Sequence, residues 1–483
     1  MNHSPYTLIP NLFYADIGLY IKQIWGHIMN AFFIGIGGMG MSGLAKILHS
    51  AGFKVAGSDR NLEGDYCKRL IAMGVKIYPQ DGKGPELFMQ ETGLKANEFK
   101  IVKSTAVEST VPDVVTAETL GIEQIMRSDL LAQMFNEKKG IAIGGTAGKT
   151  TTTGLIAWVL KYCGLEPSCA VGGIISGLDT NAFQGSGEHF VIEADESDGS
   201  IVKYRPHISV VTNISHVHKT IDELEDLFLQ FFEHTDDDGL RLVCADDKHA
   251  MELCKKCSKK VKTYGLAETA DYKAENIEYG NVSVKFAVSG VPFDVRLPGE
   301  HNIKNILAVI AIAQECGLSL EAISEAMKAF GGMKRRFEKV GVAKGVTVID
   351  DFAHNPAEIE AAMKAARKAS ERCFFVYQPH GFGPTNFTKD QLVKVFSSVR
   401  DNEYLYLDEI YYGGGTVDKN ISSKDLIEAV GTKVKNIFCP GSRDKIVDNI
   451  VEKAKTGDMV LVMGARDVNQ ICPVILSKIE DRK

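Results

Sequence analysis

The stretch Gly144-Gly145-Thr146-Ala147-Gly148-Lys149-Thr150 constrains this chain more than any other. It follows the apolar run Ile141-Ala142-Ile143 and opens a segment rich in apolar residues (Leu155, Ile156, Trp158, Val159, Leu160). Strand, glycine turn, Lys-Thr and helix together suit a nucleoside triphosphate. Glycines let backbone N–H groups approach phosphate oxygens, and a helix N-terminus adds partial positive charge. Lys149 is placed to reach the β- and γ-phosphates, and the Thr150 hydroxyl to meet Mg²⁺. Ile143 stands where the strict pattern has its first glycine, so a glycine-rich turn before a buried helix is the competing reading.

A chain of 483 residues has room for about two to four domains. Apolar content of 45% and charged content of 24% are those of an ordinary globular protein. A net charge of −7 provides no basic field for nucleic acid. No apolar run is long enough to span a bilayer, and Asp16 and Lys22 interrupt the first 28 residues, which therefore do not read as a signal peptide. The ten cysteines are scattered, as in a reduced cytoplasmic enzyme; Cys254 and Cys257 form the one close pair.

Residues 31–135 alternate strand and helix. Phe32-Phe33-Ile34 leads into Gly35-Ile36-Gly37-Gly38-Met39-Gly40, and a second strand ends at Ser58-Asp59. This is the fingerprint of a dinucleotide-type fold, although the turn serves many nucleotides. Ile101-Val102 and Gly121–Ile125 read as later strands, and Asn136–Gly140 as a linker. Beyond the phosphate loop, Phe190-Val191-Ile192 ends in Glu193-Ala-Asp-Glu-Ser-Asp198. Ile208–Val211 ends in Thr212-Asn213, with His216 and His218 just beyond. Ligands of open α/β sheets bind at the carboxyl ends of strands, so these ends are expected to converge. Glu193 is a hard oxygen ligand suited to Mg²⁺, with His218 completing the site or bridging a second ion. Further on, Val346–Ile349 ends in Asp350-Asp351-Phe352-Ala353-His354. Asn355, Pro356 and Glu358 then read as N-cap, first turn and capping box.

The combined pattern resembles the Mur ligases, ATP-dependent amino-acid ligases of cell-wall precursor synthesis. Its carriers are Gly35–Gly43, Gly57-Ser-Asp59, Gly145–Thr153, Glu193–Asp198, Pro298-Gly-Glu-His-Asn-Ile-Lys-Asn305, Asp350–Pro356 and Gln378-Pro-His380. The resemblance covers about residues 30–470 and is strongest to the branch that joins L-alanine to UDP-N-acetylmuramate. It implies an α/β chain of three units: a Rossmann-like UDP-sugar unit at 29–136, a central ATP-binding unit at 137–332 and a Rossmann-like amino-acid unit at 333–483, after an extension at 1–28. Gly37, Gly38, Gly40, Met41, Ser42, Ser58, Asp59 and Ser104 are expected to hold the sugar nucleotide. Gly145, Thr146, Gly148, Lys149, Thr150, Thr151, His301, Asn302, Asn305, Arg336 and Asp351 are expected to hold ATP. Thr150, Glu193 and His218 are the expected Mg²⁺ ligands, and Lys149, His218 and His354 the catalytic groups. The implied protein is cytoplasmic, a monomer or weak homodimer, with no nucleic-acid or membrane partner, and Met29 is a workable start.

This chain departs from the family pattern at named places. Ala147 replaces the common His or Asn, and Val217 an Asp. Gly381 and Pro384 replace two arginines of the alanine-adding branch, and Gly413-Gly414-Gly415 its Ala-Gly-Glu. Ligation of another amino acid or a recovered peptide, a catalytically silent nucleotide-binding relative, and a nicotinamide oxidoreductase built on Gly35–Gly40 and Asp59 are the alternatives.

Overall fold

The computed structural model describes residues 30–216, 219–280, 283–412 and 418–482. The extension at 1–28, Val217, His218 and Gly413–Gly415 lie outside them.

The first sheet contains β1 (Asn30–Ile34), β2 (Val55–Asp59), β3 (Lys76–Pro79), β4 (Phe99–Lys103) and β5 (Gln124–Met126). Its order is β3-β2-β1-β4-β5, with every pair parallel. Side chains of β1 alternate between two apolar layers: Ala31 and Phe33 enter one, Phe32 and Ile34 the other. A strand covered on both faces reads as a continuous apolar run. Strand order reverses between β1 and β4, so the Gly35–Gly40 turn and Ser104 flank the crevice where such sheets take ligands.

The second sheet contains β6 (Lys139–Gly144), β7 (Ser168–Ile175), β8 (Thr180–Phe183), β9 (His189–Glu193), β10 (Ile208–Val211), β11 (Leu240–Cys244), β12 (Lys262–Gly265) and β13 (Tyr272–Lys273). Its order, β13-β12-β11-β10-β6-β9-β7-β8, sets the end of β6 between those of β10 and β9. Ile141 and Ile143 face the helices Lys149–Tyr162 and Glu300–Glu315, while Ala142 faces a layer shared with the first unit. A small antiparallel sheet follows, of β14 (Glu275–Tyr279), β15 (Val284–Val288) and β16 (Val291–Val295).

The expected linker at Asn136–Gly140 is nearly absent. The helix Arg127–Asn136 reaches it from one side and β6 from the other, leaving Glu137 and Lys138 between them. Phe135 on that helix packs at 5.5 Å from Tyr204 and 6.0 Å from Phe190 of the middle unit. The junction is therefore apolar and packed, which local polarity concealed.

The last sheet contains β17 (Glu338–Ala343), β18 (Val346–Asp351), β19 (Cys373–Tyr377), β20 (Tyr404–Leu407), β21 (Ile437–Phe438) and β22 (Met459–Met463), in the order β17-β18-β22-β19-β20-β21. Only β17 is antiparallel to its neighbour. The ends of β18, β22 and β19 lie side by side and carry Asp351, Arg466 and His380 into one region. Among the described residues no helix is long and apolar enough to cross a membrane.

Candidate active site

The phosphate loop is shaped by its neighbours. Thr212 Oγ1 donates to the Ala147 carbonyl at 2.6 Å. Asn213 Nδ2 donates to the same carbonyl at 2.8 Å, and Asn213 Oδ1 accepts from the Ala147 N–H at 3.0 Å and the Thr146 hydroxyl at 2.7 Å. The end of β10 thus clamps the loop by its backbone at Ala147. Gly148 has φ +84°, and a Cβ there would lie 2.6 Å from Asn305 Oδ1, so glycine is required on both counts.

The helix Lys149–Tyr162 starts at the catalytic candidate. Lys149 Nζ donates to the Gly145 carbonyl at 2.6 Å and to Glu196 Oε2 at 2.8 Å. Burial alone would lower the Lys149 ammonium, but the Glu196 and Glu193 carboxylates outweigh it and hold the group above its usual range. Thr150 Oγ1 lies 3.0 Å from both Glu193 carboxylate oxygens. Gly172 N–H donates to Glu193 Oε2 at 2.8 Å and fixes that side chain. The hydroxyl and carboxylate form a hard-oxygen pair of the kind Mg²⁺ prefers. His218, the third expected ligand, lies outside the described residues.

The third unit faces this loop. Arg336 Nη2 donates to Thr150 Oγ1 at 3.0 Å, and its guanidinium lies 4.9 Å from the Phe352 ring. Asp351 accepts from the Phe337 and Ala353 N–H groups; burial pushes its carboxyl up to about 6, against the pull of Arg336. Asn355 caps its helix as expected, accepting from the Glu358 N–H at 3.0 Å. The capping box is not completed, however. The Glu358 carboxylate turns to His354, meeting its N–H and its Nδ1, each at 3.2 Å. Burial would lower His354, yet Glu358 raises it on balance, and Glu358 itself is held at about 2.

These groups line a cavity of about 420 Å³ that also takes in Thr146, Thr151, Asn302 and Asn305. At one end, Tyr264, Leu297 and His301 supply a less polar wall; burial lowers the His301 imidazole to about 4. Asn302 Nδ2 donates to the Pro298 carbonyl at 2.7 Å, and Asn305 Nδ2 to Asn302 Oδ1 at 3.2 Å.

The sugar-nucleotide candidates divide. Gly38 and Gly40 are exposed at the turn, with Gly37 and Asp59 half-buried beside them, and Ser104 half-buried after β4. The side chains of Met41, Ser42 and Ser58 turn inward. Met41 packs in the core, the Ser42 hydroxyl donates to the Met39 carbonyl at 3.0 Å, and the fully buried Ser58 hydroxyl donates to Asp113 Oδ2 at 3.1 Å. Helical and strand periodicity put these side chains on the core side of a turn whose backbone faces out. Glu196, Asn213 and Glu358 were missed as site residues. Each sits within or beside a strand-end cluster visible in the sequence, but its role depends on a partner 47 or more positions away or on a rotamer choice.

Two α/β units that meet at a phosphate loop, a third that adjoins the middle one at a neighbouring cavity, and acids at the strand ends define a nucleotide-dependent enzyme class. The chain matches the Mur ligase family, catalytic domain, over residues 31–139, the Mur ligase middle domain over 143–313, and the Mur ligase, glutamate ligase domain, over 335–466. It is 36% identical over 457 residues to the UDP-N-acetylmuramate–L-alanine ligase of Carboxydothermus hydrogenoformans, covering 92% of this chain and 96% of the relative. The protein of the same description from Chromobacterium violaceum is 37% identical over 460 residues, covering 91% and 96%. The chain belongs to the Mur ligase family. Its fold is similar to that of the UDP-N-acetylmuramate–alanine ligase of Thermotoga maritima, with a TM-score of 0.74 at 24% identity over 94% of this chain and 100% of the other. It is also similar to that of a murein peptide ligase of Psychrobacter arcticus, with a TM-score of 0.68 at 22% identity over 94% and 99%.

Proposed function

We propose that this chain joins the carboxylate of UDP-N-acetylmuramate to the amino group of L-alanine at the expense of ATP, a step of peptidoglycan precursor synthesis, and that it does so in the cytoplasm. The observation that carries this reading is one cavity in which Lys149, Thr150 and Glu193 of the middle unit face Arg336, Asp351 and His354 of the third. We place the unit boundaries at 29–136, 137–332 and 333–483.

A carboxylate is a poor electrophile. Its oxygen attacks the γ-phosphorus of ATP, ADP leaves, and an acyl phosphate forms. The amine nitrogen then attacks the acyl carbon, loses a proton, and phosphate leaves. Lys149 and Arg336 offset charge on the transferring phosphoryl group. Thr150 and Glu193 fit Mg²⁺, with His218 as a further ligand, and bound there the ion would supply additional charge compensation. Contact between the third unit and the phosphate loop helps exclude water, which hydrolyses acyl phosphates.

A cavity of about 260 Å³ lined by His354, Tyr377, His380, Thr385 and Thr388 adjoins the site and suits the incoming amino acid. Pro384 lies on its wall where the resembling branch has arginine. Of the cations nearby, Lys334 is paired with Glu338 and Arg335 with Asp350, whereas the Arg466 guanidinium lies 5.3 Å from the Tyr411 ring. Arg466 is therefore the candidate for the alanine carboxylate. The arginine-free wall also suits a larger, peptidic amine, which is the second reading. A screen of ADP release from UDP-N-acetylmuramate and ATP against amino acids and peptides tests both. Turnover with L-alanine supports the first, turnover with peptides alone the second, and no ADP release with any amine refutes both.

A further inference from the structure

We infer that Arg127 is the positioning residue for the substrate carboxylate, an assignment that rests on the proposed function. Arg127 follows β5 and begins the helix Arg127–Asn136. Its side chain lies against the glycine turn: a Cβ built on Gly40 would be 3.3 Å from Arg127 Cδ and Nη1. The guanidinium points toward the middle unit, where Nη2 is 4.0 Å from Asp198 Oδ2. That long ion pair is its one polar contact among the described residues, and the side chain is about a quarter exposed. Five N–H donors are thus poised with little to hold.

The space they face is a narrow cavity of about 150 Å³ between the first and middle units. Gly40 and Arg127 form one side of it, and Glu193 and Asp195 the other. Gly172, Glu193 and Asp195 also line the nucleotide cavity, so the two spaces share a wall. A carboxylate carried by a sugar nucleotide seated on the glycine turn must cross this space to reach the γ-phosphate. There it meets the Glu193 and Asp195 side chains, and Arg127 is the sole cationic side chain lining the passage among the described residues. Like charges this close oppose entry unless a cation offsets them. A planar guanidinium can grip a carboxylate with two parallel hydrogen bonds and so fix which oxygen points at phosphorus. Seated substrate would take the place of Asp198 as the partner of Arg127.

The test compares Arg127→Met and Arg127→Lys with the unaltered full chain, using calorimetric titration with UDP-N-acetylmuramate and with UDP-N-acetylglucosamine. The second nucleotide has the same diphosphate but no lactyl carboxylate. Arg127→Met should weaken UDP-N-acetylmuramate binding about tenfold to a hundredfold and leave UDP-N-acetylglucosamine within about twofold. Arg127→Lys should recover part of the loss, and the KM for ATP should stay unchanged in both variants. Equal weakening of the two nucleotides means that Arg127 serves the diphosphate or the fold, and overturns the inference alone. Absence of UDP-N-acetylmuramate binding by the unaltered chain overturns the functional reading, and the inference with it.

Discussion

Arg336 of the third unit donates to Thr150 Oγ1 at 3.0 Å, and the same hydroxyl lies 3.0 Å from both oxygens of Glu193. One side chain from the C-terminal unit therefore reaches the first turn of the phosphate-loop helix. Replacing Arg336 with Ala should lower kcat about tenfold to a thousandfold, the range for losing a group that offsets transition-state charge. Affinity for UDP-N-acetylmuramate, which we place on the glycine turn of another unit, should not move. Steady-state kinetics with a parallel binding titration checks this. Unchanged kcat would mean that the contact serves packing.

Lys149→Ala should abolish ligase turnover while leaving sugar-nucleotide binding nearly intact. The ammonium is held charged between Glu196 and the Gly145 carbonyl, poised for phosphate. A variant that keeps more than about a tenth of kcat contradicts that role.

His354 and Glu358 should titrate as a pair. The Glu358 carboxylate contributes stability that is present above the ordinary carboxylate range and lost as pH falls toward about 2. Protonated His354 contributes stability that is present below its ordinary value near 6.5 and lost as pH rises through its raised value. In Glu358→Gln, burial and Arg336 remain and both disfavour the imidazolium. The His354 titration should then fall below its ordinary value, as read by NMR of the imidazole carbons. A midpoint that stays raised would mean that another group holds the proton.

The glycine turn should bind a uridine nucleotide and not NAD. Asp59, the residue type that meets a ribose diol in dinucleotide folds, accepts from the Gly37 N–H at 2.8 Å and the Asn61 N–H at 2.9 Å. A Cβ at position 37 would lie 2.7 Å from Cys67 Sγ and 2.8 Å from Asp59 Oδ2. Gly37→Ala should therefore break this arrangement and weaken UDP-N-acetylmuramate binding by more than about tenfold, a loss of about 1.4 kcal/mol or more, with ATP binding unchanged. Saturable NAD binding by the unaltered chain would restore the oxidoreductase reading.

Arg466→Ala should raise the KM for L-alanine about tenfold without changing that for ATP, because Gly381 and Pro384 supply no cation for the amino-acid carboxylate. The unaltered chain should itself show a higher KM for L-alanine than an enzyme with both arginines. If Arg466→Ala leaves the KM for L-alanine unchanged, the carboxylate is met elsewhere.

The sequence by itself determined the α/β class, the two glycine turns and the strand-end acids. These are local signals: an apolar run long enough for one strand, a turn only glycine permits, and an acid placed where the strand stops. The closeness of Lys149, Thr150 and Glu193 followed from one further rule, that ligands gather at the carboxyl ends of parallel strands. Other features depended on which strands became neighbours and on side-chain rotamers. Glu196 became the partner of Lys149, Asn213 the clamp on Ala147, and Asp59 the brace of its own turn. Met41 and Ser42 adjoin exposed glycines and Ser58 a buried one, yet the helical period and the pleat turned all three side chains into the core. The polar junction at Glu137 and Lys138 concealed the packing of Phe135 on Tyr204, because a local window cannot register an apolar contact made 69 positions away. Only the tertiary structure brought Arg336 to Thr150 and Arg127 to the passage beside Glu193, since these pairings join groups that the chain holds far apart and packing brings together.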